Sequence, residues 1–230
     1  MLQPTKVKAI SLDLDDTLWP ILPTIERAER VLQDWLIARA PAIAALYENP
    51  AALREIRTEL ASQRPDLKHD LSAVRRESIR LALRRAGEDP ALADPAFEAF
   101  FAARQQVELF DDVRESLAFL SARMPLVSLS NGNADLQRTG IAEYFRCAIS
   151  AREFGVGKPD PAIFHAAAKA VDVEPQDVLH VGDDATLDVI GALNAGMQAA
   201  WVNRADHLWP HEQQPHVTVT DLRQLCDLFR

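Results

Sequence analysis

Val7-Lys8-Ala9-Ile10-Ser11-Leu12-Asp13-Leu14-Asp15-Asp16-Thr17-Leu18 runs a short apolar stretch straight into a cluster of acids. Residues 7–13 predict a strand. Two carboxylates two residues apart at its end project to the same side, because strand side chains alternate with period two. Placing anions that close is costly unless a positive charge joins them, and a hard divalent cation is the usual remedy. Asp13 and Asp15 therefore read as half of a metal site, with one carboxylate free to attack or to move protons. Asp-rich turns after strands also serve simply as helix caps, a role open to Asp16 or Thr17. The rest of the chain has to separate the two readings.

Outward from this stretch, residues 24–104 carry helical patterns only. Ile25, Ala28, Val31, Leu32, Trp35 and Leu36 recur at helical spacing, with Thr24 placed to cap them. Residues 51–60 and 72–86 repeat the pattern, the second ending at Gly87, and a fourth helix falls within 95–106. After Leu109 helix and strand alternate. Strands are expected at 126–130, 145–150, 178–181, 199–202 and 217–219. Helices are expected at 113–122, 134–139 (stopped by Gly140), 161–171, 184–194 (stopped by Gly196) and 221–229. Asp160 caps the third of these, with Pro161 in the first turn where proline is tolerated.

Short apolar strands alternating with helices predict a parallel sheet covered on both faces. The first strand belongs to that sheet although some eighty residues of helix follow it. The expected fold is thus α/β: a Rossmann-like doubly wound parallel sheet core, residues 1–19 and 107–230, with an α-helical cap domain inserted at 20–106. Ligands of such sheets bind beyond the carboxyl ends of the strands. Asp13, Ser130, the region of Lys158 and Asp183 all fall there, and the cap is expected over the same crevice.

Composition narrows the function. The 230 residues carry a formal charge of −9, which argues against nucleic acid as a partner. Arg75, Arg76, Arg80, Arg84 and Arg85 are the basic exception and read first as a solvated helix face, although His69 and the first three arginines are also candidates to touch a substrate. Cys147 and Cys226 have no metal-type or framework spacing, which fits a reducing cytosol. No apolar run approaches the ~20 residues of a membrane helix, and no signal-type block opens the chain. A cytoplasmic protein without membrane partners is expected.

Three further stretches complete a constellation. Ser130-Asn131-Gly132 follows a strand, and a hydroxyl with the N–H groups of a Gly-containing turn can hold phosphoryl oxygens; the same turn can equally be a plain helix entry. Lys158, within Gly157-Lys158-Pro159-Asp160-Pro161, puts an ammonium among carboxylates, where it screens them and binds an anion, or else it is one more exposed lysine. Val181-Gly182-Asp183-Asp184-Ala185-Thr186-Leu187-Asp188 places Asp183 at a strand end to complete a metal site with Asp13. Asp188 ligates directly or through water, and Asp184 doubles as a helix N-cap. Trp19 lines the entrance or packs as a core aromatic.

In this order the stretches resemble the four motifs of the haloacid dehalogenase-like hydrolase superfamily, in the branch with a helical cap between motifs one and two. The resemblance implies Asp13 as nucleophile and Mg²⁺ ligand, and Asp15 as general acid/base whose backbone carbonyl also touches the metal. It implies Ser130, Asn131 and Lys158 as phosphate-binding residues, and Asp183 and Asp188 on the metal side. It further implies Mg²⁺-dependent hydrolysis of a small phosphorylated metabolite through an aspartyl-phosphate, by a monomer or homodimer. Dehalogenases of the superfamily lack a carboxylate at the position of Asp15, so its presence favours phosphate esters. Phosphomutase or haloacid dehalogenase activity on the same fold, or a non-catalytic phosphate-binding regulatory module, are the alternatives. Residues 130–134, 180–184, 196–201 and 64–70 are most similar to a bacterial branch acting on flavin mononucleotide or the 5-amino-6-(5-phospho-ribitylamino)uracil of riboflavin synthesis.

Overall fold

The computed structural model describes residues 1–49 and 52–230. In chain order its elements are β1 (Ala9–Leu12), five helices α1 (Ile21–Arg39), α2 (Ala44–Tyr47), α3 (Ala52–Gln63), α4 (Leu71–Arg85) and α5 (Ala93–Arg104), then α6 (Val113–Ser121), β2 (Leu126–Ser130), β3 (Cys147–Ser150), α7 (Ala151–Phe154) and α8 (Pro161–Ala170). β4 (Val178–Gly182) leads into a π-helical turn at Ala185–Ile190 that continues as α9 (Gly191–Asn194). β5 (Gln198–Val202), β6 (Val217–Val219) and α10 (Leu222–Asp227) follow. The chain divides into two compact units, Met1–Pro20 with Glu108–Arg230, and Ile21–Val107.

In the first unit the six strands found among the described residues form one parallel sheet in the order β3-β2-β1-β4-β5-β6. Every residue of β1, β2, β4 and β5 is buried, as strands covered on both faces must be, while the edge strands β3 and β6 are partly exposed. Phe164 and Ile163 of α8 and Ala192 of α9 pack with Ala9, Val127, Leu129 and Val178. Leu117 and Leu120 of α6 and Leu222 and Leu225 of α10 are fully buried. The order reverses at β1, whose neighbours β2 and β4 are reached by crossovers in opposite directions. That switch point opens the crevice expected to hold ligands.

In the second unit, Ala28, Leu32 and Leu36 of α1 pack against Ile79, Ala82 and Leu83 of α4 and Phe97 and Phe100 of α5. These lie at three- and four-residue spacings, so each helix buries one stripe. Asp70 caps α4 by accepting from Ala73 N–H, and Gly87 takes the positive φ just beyond its end. Four of the five arginines of the basic run pair with carboxylates or rings: Arg75 with Glu29 and the Phe100 face, Arg76 with Asp94 and the Phe97 face, Arg80 with Glu77 and Asp94, Arg85 with Glu59.

Several elements differ from the sequence reading. α1 starts at Ile21, so Thr24 is a buried residue inside it and not its cap. Residues 136–140 form a single hydrogen-bonded turn in place of the helix expected at 134–139: Asp135 caps it, accepting from Gln137 and Arg138 N–H, Thr139 N–H reaches the Asp135 carbonyl, and Gly140 at positive φ turns the chain away before a second turn can form. Residues 184–194 are a helix only from the π-turn onward, while Asp184 caps it as expected, accepting from Thr186 and Leu187 N–H. The start of the helix expected at 51–60 lies outside the described residues. Among the described residues no helix is long and apolar enough to cross a membrane.

Candidate active site

The carboxyl ends of β1 and β4 lie side by side, with Leu12 in register with Val181, and Asp13 N–H donates to the Val181 carbonyl. Asp13 and Asp183 thereby meet from opposite ends of the sequence. With Asp188 they form a group whose ligand atoms lie within 4.8 Å of one another. Three carboxylates at that spacing are the hard oxygen donors that Mg²⁺ or Ca²⁺ takes, so the residues fit a divalent cation.

Lys158 Nζ donates to Asp13 Oδ1 at 2.5 Å and to Asp188 Oδ1 at 2.6 Å, and the lysine is only 6% exposed. Its placement is enforced by Asn131. The Asn131 carboxamide donates to the Lys158 carbonyl and accepts from its N–H, at 2.9 and 2.7 Å. A Cβ on Gly157 would lie 2.6 Å from Asn131 Oδ1, so that glycine leaves room for the clamp. Asn131 was expected to bind phosphate. Its side chain holds the lysine backbone, which leaves its second carboxamide N–H and the main-chain N–H groups of the turn for that role.

Asp188 is held from three sides. Oδ1 accepts from Lys158 and pairs with His180 Nε2 at 3.1 Å, and Oδ2 accepts from Asp184 N–H at 3.0 Å. His180 reaches across the sheet register to its partner Ser11, whose hydroxyl lies 2.8 Å from Nδ1. A Cβ on Gly182 would fall 2.2 Å from Asp188 Cγ. The glycine at the end of β4 is thus required by the carboxylate folded over it. Ser130, buried at the end of β2, accepts from Gly132 N–H at 2.9 Å and keeps its own hydroxyl proton to donate.

Asp15 stands apart from the acidic cluster. Its Oδ1 accepts from Trp19 Nε1 at 2.8 Å, and Trp19 is fully buried. The two residues are bridged as a short loop, with Asp16 N–H donating to the Trp19 carbonyl and Leu18 N–H to the Leu14 carbonyl. Asp16 takes φ +59 at the turn, a conformation aspartate tolerates better than most residues. Thr17 closes the loop onto the cluster, its hydroxyl donating to Asp183 Oδ1 at 3.0 Å.

The electrostatics follow from one buried ammonium facing several buried carboxylates. Burial and the neighbours Asp188 and Asp183 push Asp13 well above the usual carboxylate range, against the pull of Lys158. Burial, then Asp188, pushes Asp183 up to about 7, with the Thr17 hydrogen bond opposing. Asp188 is also buried, but Lys158 and His180 outweigh burial and hold it below its ordinary value. Lys158 is raised despite burial because Asp13 and Asp188 flank it. Burial lowers His180, with Asp188 opposing. A divalent cation would relieve Asp13 and Asp183 together.

Comparisons with known proteins give the family. A family model described as haloacid dehalogenase-like hydrolase matches residues 7–196. The 5-amino-6-(5-phospho-D-ribitylamino)uracil phosphatase of Escherichia coli (strain K12) is 31% identical over 97% of both chains. The phosphoserine phosphatase of Thermus thermophilus is 35% identical over 95% of this chain and 98% of its own. A solved structure described as a 2-haloacid dehalogenase from Pseudomonas syringae pv. Tomato shares the fold at TM-score 0.91 and 39% identity, over 97% of this chain and 98% of its own. The chain belongs to the haloacid dehalogenase-like hydrolase family and is an enzyme of that hydrolase class.

Proposed function

We propose that this enzyme is a Mg²⁺-dependent phosphatase of a small phosphorylated metabolite, with Asp13 as nucleophile and Asp15 as general acid and base. The carrying observation is Asp15 itself, a second carboxylate held by Trp19 just beyond Asp13 and outside the group that fits a cation. An alkoxide leaving from phosphorus needs a proton, whereas halide leaving from carbon needs none. Lys158 holds Asp13 Oδ1, which leaves Oδ2 to attack phosphorus in line with the ester oxygen. The phosphoryl–oxygen bond to the leaving group breaks as Asp15 delivers its proton, giving an aspartyl-phosphate and a free alcohol. Asp15, now ionised, takes a proton from the water that attacks the phosphoryl group, which regenerates Asp13 and releases phosphate. Ser130 and Lys158 bind the phosphoryl oxygens. Asp13, Asp183 and Asp188, with the Asp15 carbonyl, would hold a divalent cation, which would supply the remaining positive charge.

The helical unit Ile21–Val107 takes the role of cap and selects the leaving group, since the core residues above see only the phosphate. Likeness to the ribitylamino-uracil phosphatase over 97% of both chains supports a riboflavin-pathway phosphate or flavin mononucleotide as substrate. The likeness to a phosphoserine phosphatase puts phosphoserine on the same test panel. Dehalogenation is the second reading, favoured by the 39% identical solved structure. Phosphate release from p-nitrophenyl phosphate, flavin mononucleotide, the ribitylamino-uracil phosphate and phosphoserine, with and without chelator, tests the proposal alongside halide release from a 2-chloro acid. Chelation and Asp13→Asn are each expected to abolish phosphate release. Turnover surviving both, or halide release alone, contradicts it.

A further inference from the structure

One charged group in the core unit lies outside the chemistry above yet is bolted to it. Arg204, in the loop after β5, donates through Nη1 and Nη2 to the two oxygens of Asp112 at 3.0 and 2.8 Å. The same guanidinium donates through Nε and Nη2 to the main-chain carbonyl of Thr17, at 3.2 and 3.0 Å and 187 residues away in sequence. Its face lies 4.0 Å from the Phe110 ring centroid, and Phe110 N–H donates to the Leu18 carbonyl. Asp112 is buried and also accepts from Leu222 N–H at 2.7 Å, which anchors the pair to the start of α10.

The consequence falls on Thr17. It is fully buried, its hydroxyl is fixed to Asp183, and its carbonyl is fixed to Arg204. Asp15 sits two residues before it, in a loop also closed by Trp19 and by Leu18 N–H on Leu14. A planar five-donor fork can bind a carboxylate and a carbonyl at once, which an ammonium cannot do with the same geometry. We propose that Arg204, seated on Asp112, is a positioning residue that fixes the Asp13–Trp19 loop so that the Asp15 carboxyl meets the leaving-group oxygen. The proposal rests on the phosphatase reading. General acid catalysis is worth about 10²–10⁴-fold, and a displacement of about 1 Å costs on the order of 10²-fold, so loss of the clamp should be read in proton delivery.

The test compares kcat/KM for p-nitrophenyl phosphate, whose phenolate leaves without a proton, and phenyl phosphate, whose leaving group needs one. Wild type, Arg204→Met, Arg204→Lys and the control Asp15→Asn are measured with Mg²⁺ present. kcat/KM reports the steps up to phosphoryl transfer, so the later water attack does not blur the result. Arg204→Met is expected to lose about tenfold or more beyond its loss on p-nitrophenyl phosphate when phenyl phosphate is the substrate, in the direction shown by Asp15→Asn. Arg204→Lys, which keeps the charge but not the fork, is expected to lie between. Equal losses on both substrates, the mark of a merely structural residue, overturn the proposal. Should Arg204→Met fail to fold, Arg204→Lys decides by the same ratio. A wild-type enzyme inert towards both aryl phosphates and towards the other phosphate esters of the panel above removes the phosphatase reading itself, and this inference with it.

Discussion

The two units handle charge in opposite ways. Among the described residues, each ion pair of the helical unit keeps its carboxylate at least a third open to water: Arg85 and Glu59 are 42% and 41% exposed, Arg64 and Asp66 stand in solvent, and even Arg75, 13% exposed, pairs with Glu29 at 35%. In the core unit the side chains of Lys158 and Asp188 are 3% and 1% exposed, and carboxylates outnumber the one ammonium among them. Solvated pairs are screened and nearly neutral for stability, whereas buried ones leave a costly orphan when either partner is lost. The helical unit therefore uses charge to stay soluble and ordered. The core unit stores an imbalance that a cation and a phosphate can use, at some expense in stability.

That contrast breaks most sharply at Lys158. Lys158→Met leaves Asp13 and Asp188 buried without their shared cation, and denaturant unfolding of the metal-free protein at neutral pH is expected to lose about 3 kcal/mol. An unchanged unfolding midpoint would show that the imbalance is not carried by this residue. Gly182→Ala comes next. The new methyl meets Asp188 at a distance no contact tolerates, so a stability loss of about 1–3 kcal/mol is expected from overpacking, together with weakened cation binding by titration calorimetry. Wild-type affinity in that variant would mean Asp188 is not held where the structure puts it.

The pH dependence sharpens the comparison further. With its folded pKa pushed up to about 7 and an ordinary value of 3.8, Asp183 takes up a proton on folding between those limits. The metal-free protein is therefore destabilised through this group as pH rises from 4 to 7, and stabilised as it falls. His180, lowered from 6.5, pushes the other way as pH falls below that value, so the slope is read against Asp183→Asn, which keeps the histidine. Wild type should gain in melting temperature relative to Asp183→Asn between pH 7 and pH 5 without cation. With Mg²⁺ the sign should reverse, because proton and metal compete. The same sign with and without Mg²⁺ would contradict a cation at Asp183. Least affected should be Glu59→Ala in the helical unit, where both melting temperature and turnover are expected to stay at the wild-type values.

The sheet and the acidic residues were legible because their signals are local. β6 falls where alternation placed it, Asp160 and Asp184 cap the helices they were expected to cap, and Asp13 with Asp183 was readable from strands ending in acids. What escaped depends on partners distant in the chain. Trp19 gave no sign that its indole would hold Asp15 four residues back, because that bond exists only once the loop folds on itself. His180 sits in a buried strand, where the chance that a histidine pairs with a later helix carries no sequence period. Arg204 and Asp112 lie 92 residues apart in segments with no motif. The helix expected at 134–139 failed for a local reason: Asp135 caps one turn, but Gly140 at positive φ ends it before a helix can propagate.

The central claim, that Asp13 carries the phosphoryl group and Asp15 moves the protons, is tested most directly by mass analysis of Asp15→Asn quenched in acid after exposure to p-nitrophenyl phosphate and Mg²⁺. With a leaving group that needs no proton, Asp13 should still be phosphorylated, while the water attack that needs a base should be slow. The peptide containing Asp13 should gain the mass of one phosphoryl group and lose it with hydroxylamine. Release of p-nitrophenol at a steady rate with no added mass on that peptide would contradict the account.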